Sequence, residues 1–324
     1  MRRMLACLLA VLMITGMLCA CAAAPETETN AKGIRIVCTI FPIYDWTREI
    51  LGSHMAENDV TMLLKNGTDM HSYQPSAQDM IQVSACDLFI YVGGESDRWV
   101  EDALQEAANS DRIVLNLLDV LGGAAKEEEL SEGMEKEADS AEEGETAYDE
   151  HVWLSVKNAM RFCAAIEKAL ASLDPSNAAD YEANARAYMQ ELTTLDEAYA
   201  QAVSDAQQKT LLFGDRFPFR YLTEDYGIAY YAAFAGCSAE TEASFGTIAF
   251  LAEKVDELGL PAVLTIEGAQ HAIAKTIVQS TRDKDQAVLT LDSMQSVTQE
   301  DMQQGASYLS IMEENLAVLW EALR

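Results

Sequence analysis

The stretch 175–208 constrains this chain more than any other. After Pro175 it carries no proline and no glycine. Its apolar residues Tyr181, Ala185, Tyr188, Leu192, Leu195, Tyr199, Ala202 and Ala206 advance in alternating steps of four and three. That pattern keeps them on one face of an α-helix and leaves Glu182, Arg186, Glu191, Asp196 and Asp205 for the other faces. About thirty residues at 1.5 Å each make a rod on the order of 45 Å, longer than a small domain is wide. Asp174-Pro175 reads as its start, because a proline in the first turn gives up no intrahelical hydrogen bond. Such a rod is either a coiled-coil segment or a strut between domains. Both flanks alternate short apolar strands with helices, which favours the strut. The expected fold is α/β, with two lobes, each a mostly parallel sheet flanked by helices, joined by one long spine helix.

Before the spine, strands are predicted at 34–40, 59–64, 87–92 and 113–117, and helices at 42–51, 99–108 and 156–173. Ser76, with Asp79 three residues later, marks the capped start of a further helix. After the spine, strands are predicted at 211–214, 228–234, 262–266 and 287–291, and helices at 219–226, 247–258, 271–281 and 305–323. The 324 residues suffice for two lobes that each bury a core: 33–173 and 210–324, with the spine at 174–209. Segment 124–150 breaks the pattern. Between Lys126 and Glu150 stand twelve acidic residues and two lysines, which predicts a disordered acidic surface loop.

At the amino terminus, Arg2 and Arg3 precede an apolar run, 5–18, that is too short to span a bilayer comfortably. Residues 1–20 therefore read as a signal peptide. The run ends Leu18-Cys19-Ala20-Cys21, which resembles the bacterial lipobox with Cys21 as the lipidated residue. Residues 21–32 would then be a tether, placing the protein extracytoplasmically, lipid-anchored to the outer face of the cell membrane. Cys38, Cys86, Cys163 and Cys237 remain, none in close spacing, and both buried thiols and disulfides are open to them. The formal charge of −31 argues against nucleic acid and suits a protein whose ligand is a cation.

Four histidines can be weighed singly. His71 follows a strand in a loop of Gly, Asp and Ser, and His151 stands where the acidic run meets Val152-Trp153-Leu154. Both are candidate ligands. His54, after Gly52-Ser53, is expected to be exposed, and His271, at a helix start, to be a capping or surface residue. Asp215 and Asp292 each follow a second-lobe strand, where a carboxylate either points at a ligand or caps the next helix. The sequence has no HExxH helix and no GxSxG elbow, so a secreted hydrolase is disfavoured.

Met70-His71-Ser72-Tyr73-Gln74-Pro75 and Asp149-Glu150-His151-Val152-Trp153-Leu154 carry a resemblance, together with Leu173-Asp174-Pro175. They are similar to motifs of the metal-binding lipoproteins that feed zinc or manganese to ABC importers, and the likeness covers essentially the whole mature chain. It implies a monomeric, non-enzymatic receptor that works with a permease and its ATPase, carrying Zn2+ or, alternatively, Mn2+ or Fe2+. An adhesin or interaction lipoprotein is the other reading, since relatives have been so described. The resemblance implies His71 and His151 as first-lobe ligands and matches Asp292 to the family's last ligand. At the third position an ungapped alignment offers Arg216, which cannot bind a cation. One inserted residue at 217–219 puts Asp215 there instead, with Glu267 in reserve. The resemblance also implies a variable loop before the second histidine, usually histidine-rich; here it is acidic.

Overall fold

Parallel sheets bury both faces, so their strands read as unbroken apolar runs. In the computed structural model, which describes residues 33–105, 108–135, 147–238, 242–268 and 271–324, two such sheets form. The first holds β1 (Arg35–Cys38), β2 (Asp59–Met62), β3 (Leu88–Tyr91) and β4 (Ile113–Asn116) in the order β2-β1-β3-β4. The second holds β5 (Thr210–Phe217), β6 (Ala229–Ala235), β7 (Ala262–Ile266) and β8 (Ala287–Leu291) in the matching order β6-β5-β7-β8. Every pairing is parallel. The first lobe adds α1 (Phe41–Leu51), α2 (Ala77–Ala85), α3 (Trp99–Gln105), α4 (Leu117–Leu121) and α5 (Val156–Leu173). The spine is α6 (Ala178–Asp205), and the second lobe adds α7 (Arg220–Tyr226), α8 (Phe245–Leu258), α9 (Ala272–Ser280), α10 (Gln299–Gln303) and α11 (Tyr308–Ala322). None of the described helices is long and apolar enough to cross a membrane.

The spine buries Tyr181, Ala185, Tyr188, Leu192, Leu195, Tyr199, Ala202 and Val203 along its 28 residues. It starts at Ala178, three residues past Pro175. The Asp174 carboxylate gathers Ser176 Oγ, Asn177 Nδ2 (2.7 Å) and Tyr181 OH (2.9 Å), and that local turn competes with helical backbone for the first residues. The helix packs on α1 and α5 of the first lobe and on α7 and α11 of the second. Asn184 Nδ2 donates to Ile50 O at the end of α1 (3.0 Å), and Tyr199 OH donates to Met312 O of α11 (2.6 Å). One apolar core therefore runs through both lobes, with Trp46 and Phe162, Tyr188 and Leu192, and Phe213 and Tyr308 in the same cluster. A smaller core of Leu212, Phe234, Leu251, Val263 and Ile277 lies within the second lobe, where α8 and α9 pack on the sheet.

The acidic segment differs from its expectation. Glu127 and Tyr148 form an antiparallel bridge, extended by Glu128 N to Ala147 O and Asp149 N to Lys126 O, both 2.8 Å. Glu135 N donates to Ala233 O on the edge strand β6 (3.0 Å), and its Oε1 accepts from Ser244 N and Thr247 Oγ1, both 2.6 Å. Residues 125–135 and 147–150 thus follow a defined path, because a backbone ladder and a helix cap hold them irrespective of their charge. Residues 136–146 lie outside the described residues, as do the leader and tether with Cys21. Cys38, Cys86, Cys163 and Cys237 are all free thiols.

Two links join the lobes where α1 meets α11. The fully buried Asp45 accepts from Tyr308 N (2.8 Å) and pairs with Arg48 (2.6 Å). Tyr308 OH donates to Trp153 O (2.8 Å). Burial pushes the Asp45 carboxyl up to about 6, against the pull of Arg48 and Tyr308 N. Its folded value is therefore above its unfolded one, so its contribution is fully present below about pH 4 and is lost as pH rises through about 6. Asp45→Asn keeps an acceptor for Tyr308 N and does not titrate. Its unfolding free energy should gain on the parent's by up to about 3 kcal/mol between pH 4 and 6 and stay level above. Urea melts across that range read this; a difference that does not change with pH would contradict it.

Candidate metal centre

Loops from the carboxyl ends of the two sheets meet, as ligand-binding loops of open α/β sheets do. Across the junction Arg216 pairs with Asp69 (2.8 Å), and Trp153 Nε1 donates to Ser293 O (2.9 Å).

His71 sits in the single turn Met70–Ser72 that follows β2. Asp69 Oδ1 caps this turn by accepting from His71 N (3.0 Å), and the buried Met70 anchors it. The His71 ring places Nδ1 2.9 Å from Ser96 Oγ and 3.6 Å from Glu150 Oε2. Glu150 in turn accepts Ser96 N through Oε1 (2.8 Å), and burial raises its carboxyl above the ordinary range. Gly94, at φ +84°, permits this approach, since a Cβ there would stand 2.4 Å from Glu150 Oε1. His151 is fully buried, and Asp149 Oδ1 accepts both its N (2.9 Å) and its Nδ1 (3.0 Å). Held through Nδ1 by Asp149, the His151 ring turns its Nε2 toward His71.

The two Nε2 atoms lie 3.1 Å apart. Burial, then the neighbouring His151, push the His71 imidazole well below its usual range, which keeps it neutral. Nitrogens that close are bridged by one electrophile, a proton or a metal ion. A tetrahedral zinc with Zn–N of 2.0–2.1 Å sets its nitrogens about 3.3 Å apart, close to what stands here.

A third side chain joins them. Ring nitrogens of His71 and His151 and the sulfur of Cys237 all lie within 4.8 Å of one another. Cys237 follows β6, beside Gly236, whose Cβ would stand 2.8 Å from His151 Cε1 and 2.9 Å from Phe217 O. Burial, then Glu128, Glu150 and Asp149, push the Cys237 thiol well above its ordinary value.

The carboxylates expected from the sequence each make hydrogen bonds of their own. Asp215 lies in β5 and accepts Arg216 N (2.9 Å) and Ile266 N (3.4 Å). Between Phe213 and Arg216 the β5–β6 register shifts by one residue, a bulge that falls at the position of Asp215. Asp292, after β8, accepts Met294 N through Oδ1 (2.7 Å), and Asn315 of α11 brackets its backbone N–H and C=O, both at 2.8 Å. Burial, then the neighbouring Glu267, raise the Asp292 carboxyl to about 7. Glu267 accepts Ser293 N and Ser293 Oγ, both 2.7 Å, and Gln295 N (3.1 Å), which folds the loop after β8. None of these three carboxylates belongs to the group around His71 and His151. His54 is tied to Glu57 (3.1 Å) and to Asp180 of the spine (3.0 Å), and His271, at φ +54°, precedes α9. Cys237 stands in no motif of the sequence that marks it as more than a pairing or buried thiol. Its signal was its place directly after an apolar strand and a glycine, where chain enters a cleft.

Comparison with known proteins bears on this arrangement. The zinc-binding lipoprotein AdcA of Streptococcus pneumoniae is 32% identical over 304 residues, covering 91% of this chain and 57% of that protein. The chain thus spans little more than half the length of such streptococcal relatives. The high-affinity zinc uptake system protein ZnuA of Bacillus subtilis is 27% identical over 302 residues, covering 92% of this chain and 90% of that one. The crystal structure of the Zn(II)-bound ZnuA-like domain of S. pneumoniae AdcA superposes with a TM-score of 0.70 at 28% identity, over 90% of this chain and 99% of that chain. The family described as ZnuA, zinc-uptake complex component A, periplasmic, matches residues 36–322, and this chain belongs to it.

Proposed function

We propose that this protein is an extracytoplasmic, lipid-anchored, monomeric receptor that captures one zinc ion between its lobes and delivers it to an ABC permease driven by its ATPase. The observation that carries the reading is the imidazole pair: two Nε2 atoms 3.1 Å apart in a buried junction, with both Nδ1 atoms engaged behind them. Rings held that way lose little freedom when they close on an ion. His71 and His151 are the first-lobe donors. Asp292 and Asp215 are the second-lobe oxygen donors, with Glu267 as the reserve. A shell filled by protein side chains leaves no position for an activated water, which suits carriage over catalysis. Zinc takes precedence over manganese because mixed nitrogen donors suit it, and the streptococcal and bacillar relatives are named for zinc. The ion bridges the lobes and biases a closed state that the permease recognises. With one apolar core running through both lobes, that closure is a small tilt.

A thermal melt of protein stripped with chelator, then titrated separately with zinc and manganese, tests the reading. Free zinc at a hundredfold above Kd should stabilise by about 2.7 kcal/mol, a rise in Tm on the order of 5 °C. His71→Ala and His151→Ala should abolish the rise, and manganese should give a smaller one at equal concentration. A larger shift with manganese would reassign the cargo. No shift with either ion, or full affinity retained in both histidine variants, would remove the reading. X-ray scattering adds a second check: profiles with and without zinc should nearly superimpose, and a large compaction would contradict the small tilt.

A further inference from the structure

We infer that Cys237 is a metal ligand, so that the second lobe meets the ion with a thiolate sulfur. This rests on the receptor reading and sharpens it, giving the cargo site two nitrogens and one sulfur before any carboxylate is counted.

The placement follows from the two sheets. Their strand orders match, β2-β1-β3-β4 and β6-β5-β7-β8, so β6 occupies in the second lobe the place that β2 occupies in the first. His71 lies in the loop after β2, and Cys237 in the loop after β6. Each lobe thereby sends one side chain from its corresponding edge strand toward the same point. Gly236 lets the backbone pass within contact of the His151 ring, which no residue with a Cβ could do without displacing it. The sulfur and the two ring nitrogens lie within 4.8 Å of one another. A tetrahedral zinc with Zn–S near 2.3 Å needs nitrogen–sulfur separations of about 3.6 Å, so the sulfur moves inward by little more than 1 Å at most. The ion takes the place of the thiol proton, which leaves to solvent. Behind the group, Glu150 Oε2 is buried without a hydrogen-bond partner, 3.6 Å from His71 Nδ1.

The other described cysteines cannot compete. Cys38, Cys86 and Cys163 are buried within the apolar core of the first lobe and its helices. Sulfur also changes selectivity. Thiolate is a soft donor that favours zinc, whereas manganese prefers oxygen. Cys237 is then the residue that separates the two ions.

Cobalt(II) titration of the purified protein reads the ligand directly, because sulfur coordination gives an intense near-ultraviolet charge-transfer absorption that nitrogen and oxygen do not. The parent should show it. Cys237→Ser and Cys237→Ala should lose it and bind zinc more weakly by over the roughly 10–100-fold that loss of a supporting partner costs. Cys237→Asp should restore binding while shifting the zinc-to-manganese affinity ratio toward manganese. Melting of all variants in chelator, unchanged from the parent, shows that the fold is intact. Cobalt bound without the absorption, an absorption that persists in both Ser and Ala variants, or unchanged zinc affinity in Cys237→Ala would each overturn the assignment while leaving the receptor standing. Failure of the parent to bind either metal would overturn both.

Discussion

The apolar face of the spine is the constraint on which the rest of this molecule depends. Each lobe covers its sheet with helices, and α6 supplies a surface that helices of both lobes share, α1 and α5 of the first and α7 and α11 of the second. Tyr188 and Leu192 enter the same cluster as Trp46 of the first lobe and Phe213 of the second. At about 25 cal/mol for each Å² of apolar surface removed from water, separating the lobes widely would expose several large side chains at a cost of many kcal/mol. Polar links reinforce this, with Asp45 and Trp153 of the first lobe both tied to Tyr308 of α11. The cleft is consequently a seam whose width is limited by packing.

That rigidity is what a buried pair of imidazoles requires. Two imidazoles facing each other through Nε2 are stable only with something positive between them, and flexible rings would turn away. Here Asp149 fixes one ring and Ser96 with Glu150 fixes the other. Arg216 stands close to the same junction, where a permanent positive charge would oppose an entering cation. Asp69 pairs with it (2.8 Å) while also capping the turn that carries His71. One carboxylate thus offsets the nearby cation and orients the turn of His71.

The spine was legible because a helical stripe is a property of spacing alone: the buried residues from Tyr181 to Ala202 are those the steps of three and four select. The parallel strands were legible for the same reason, and the Ser76–Asp79 capping box because its side chains and backbone are three residues apart. His71 and His151 could be singled out because the chain has few histidines and both stand where loop meets strand or core. What stayed hidden depends on contacts distant in sequence. The docking of Glu135 on β6 and the cap of α8 cannot be seen in an acidic composition. Cys237 is eighty-six residues from His151, and only the fold makes Gly236 a neighbour of that ring.

The third-ligand position shows how one residue redistributes chemistry. In a pleated strand successive side chains point to opposite faces, so an extra residue reverses everything beyond it. The extra residue in β5 lies between Phe213 and Arg216. Past it, Asp215 engages Ile266 N of the neighbouring strand β7, and Arg216 reaches across to Asp69. The end of β5 therefore brings both a carboxylate, held by backbone N–H groups, and a paired guanidinium to the junction. The adjacent strand β6 brings a further second-lobe side chain near the histidines. β6 pairs with β5 through the shift and ends in Ala235, and the next two residues are the glycine that makes room and the cysteine whose sulfur arrives beside both rings. The bulge in β5 and the sulfur after β6 thus meet the same junction from two neighbouring strands.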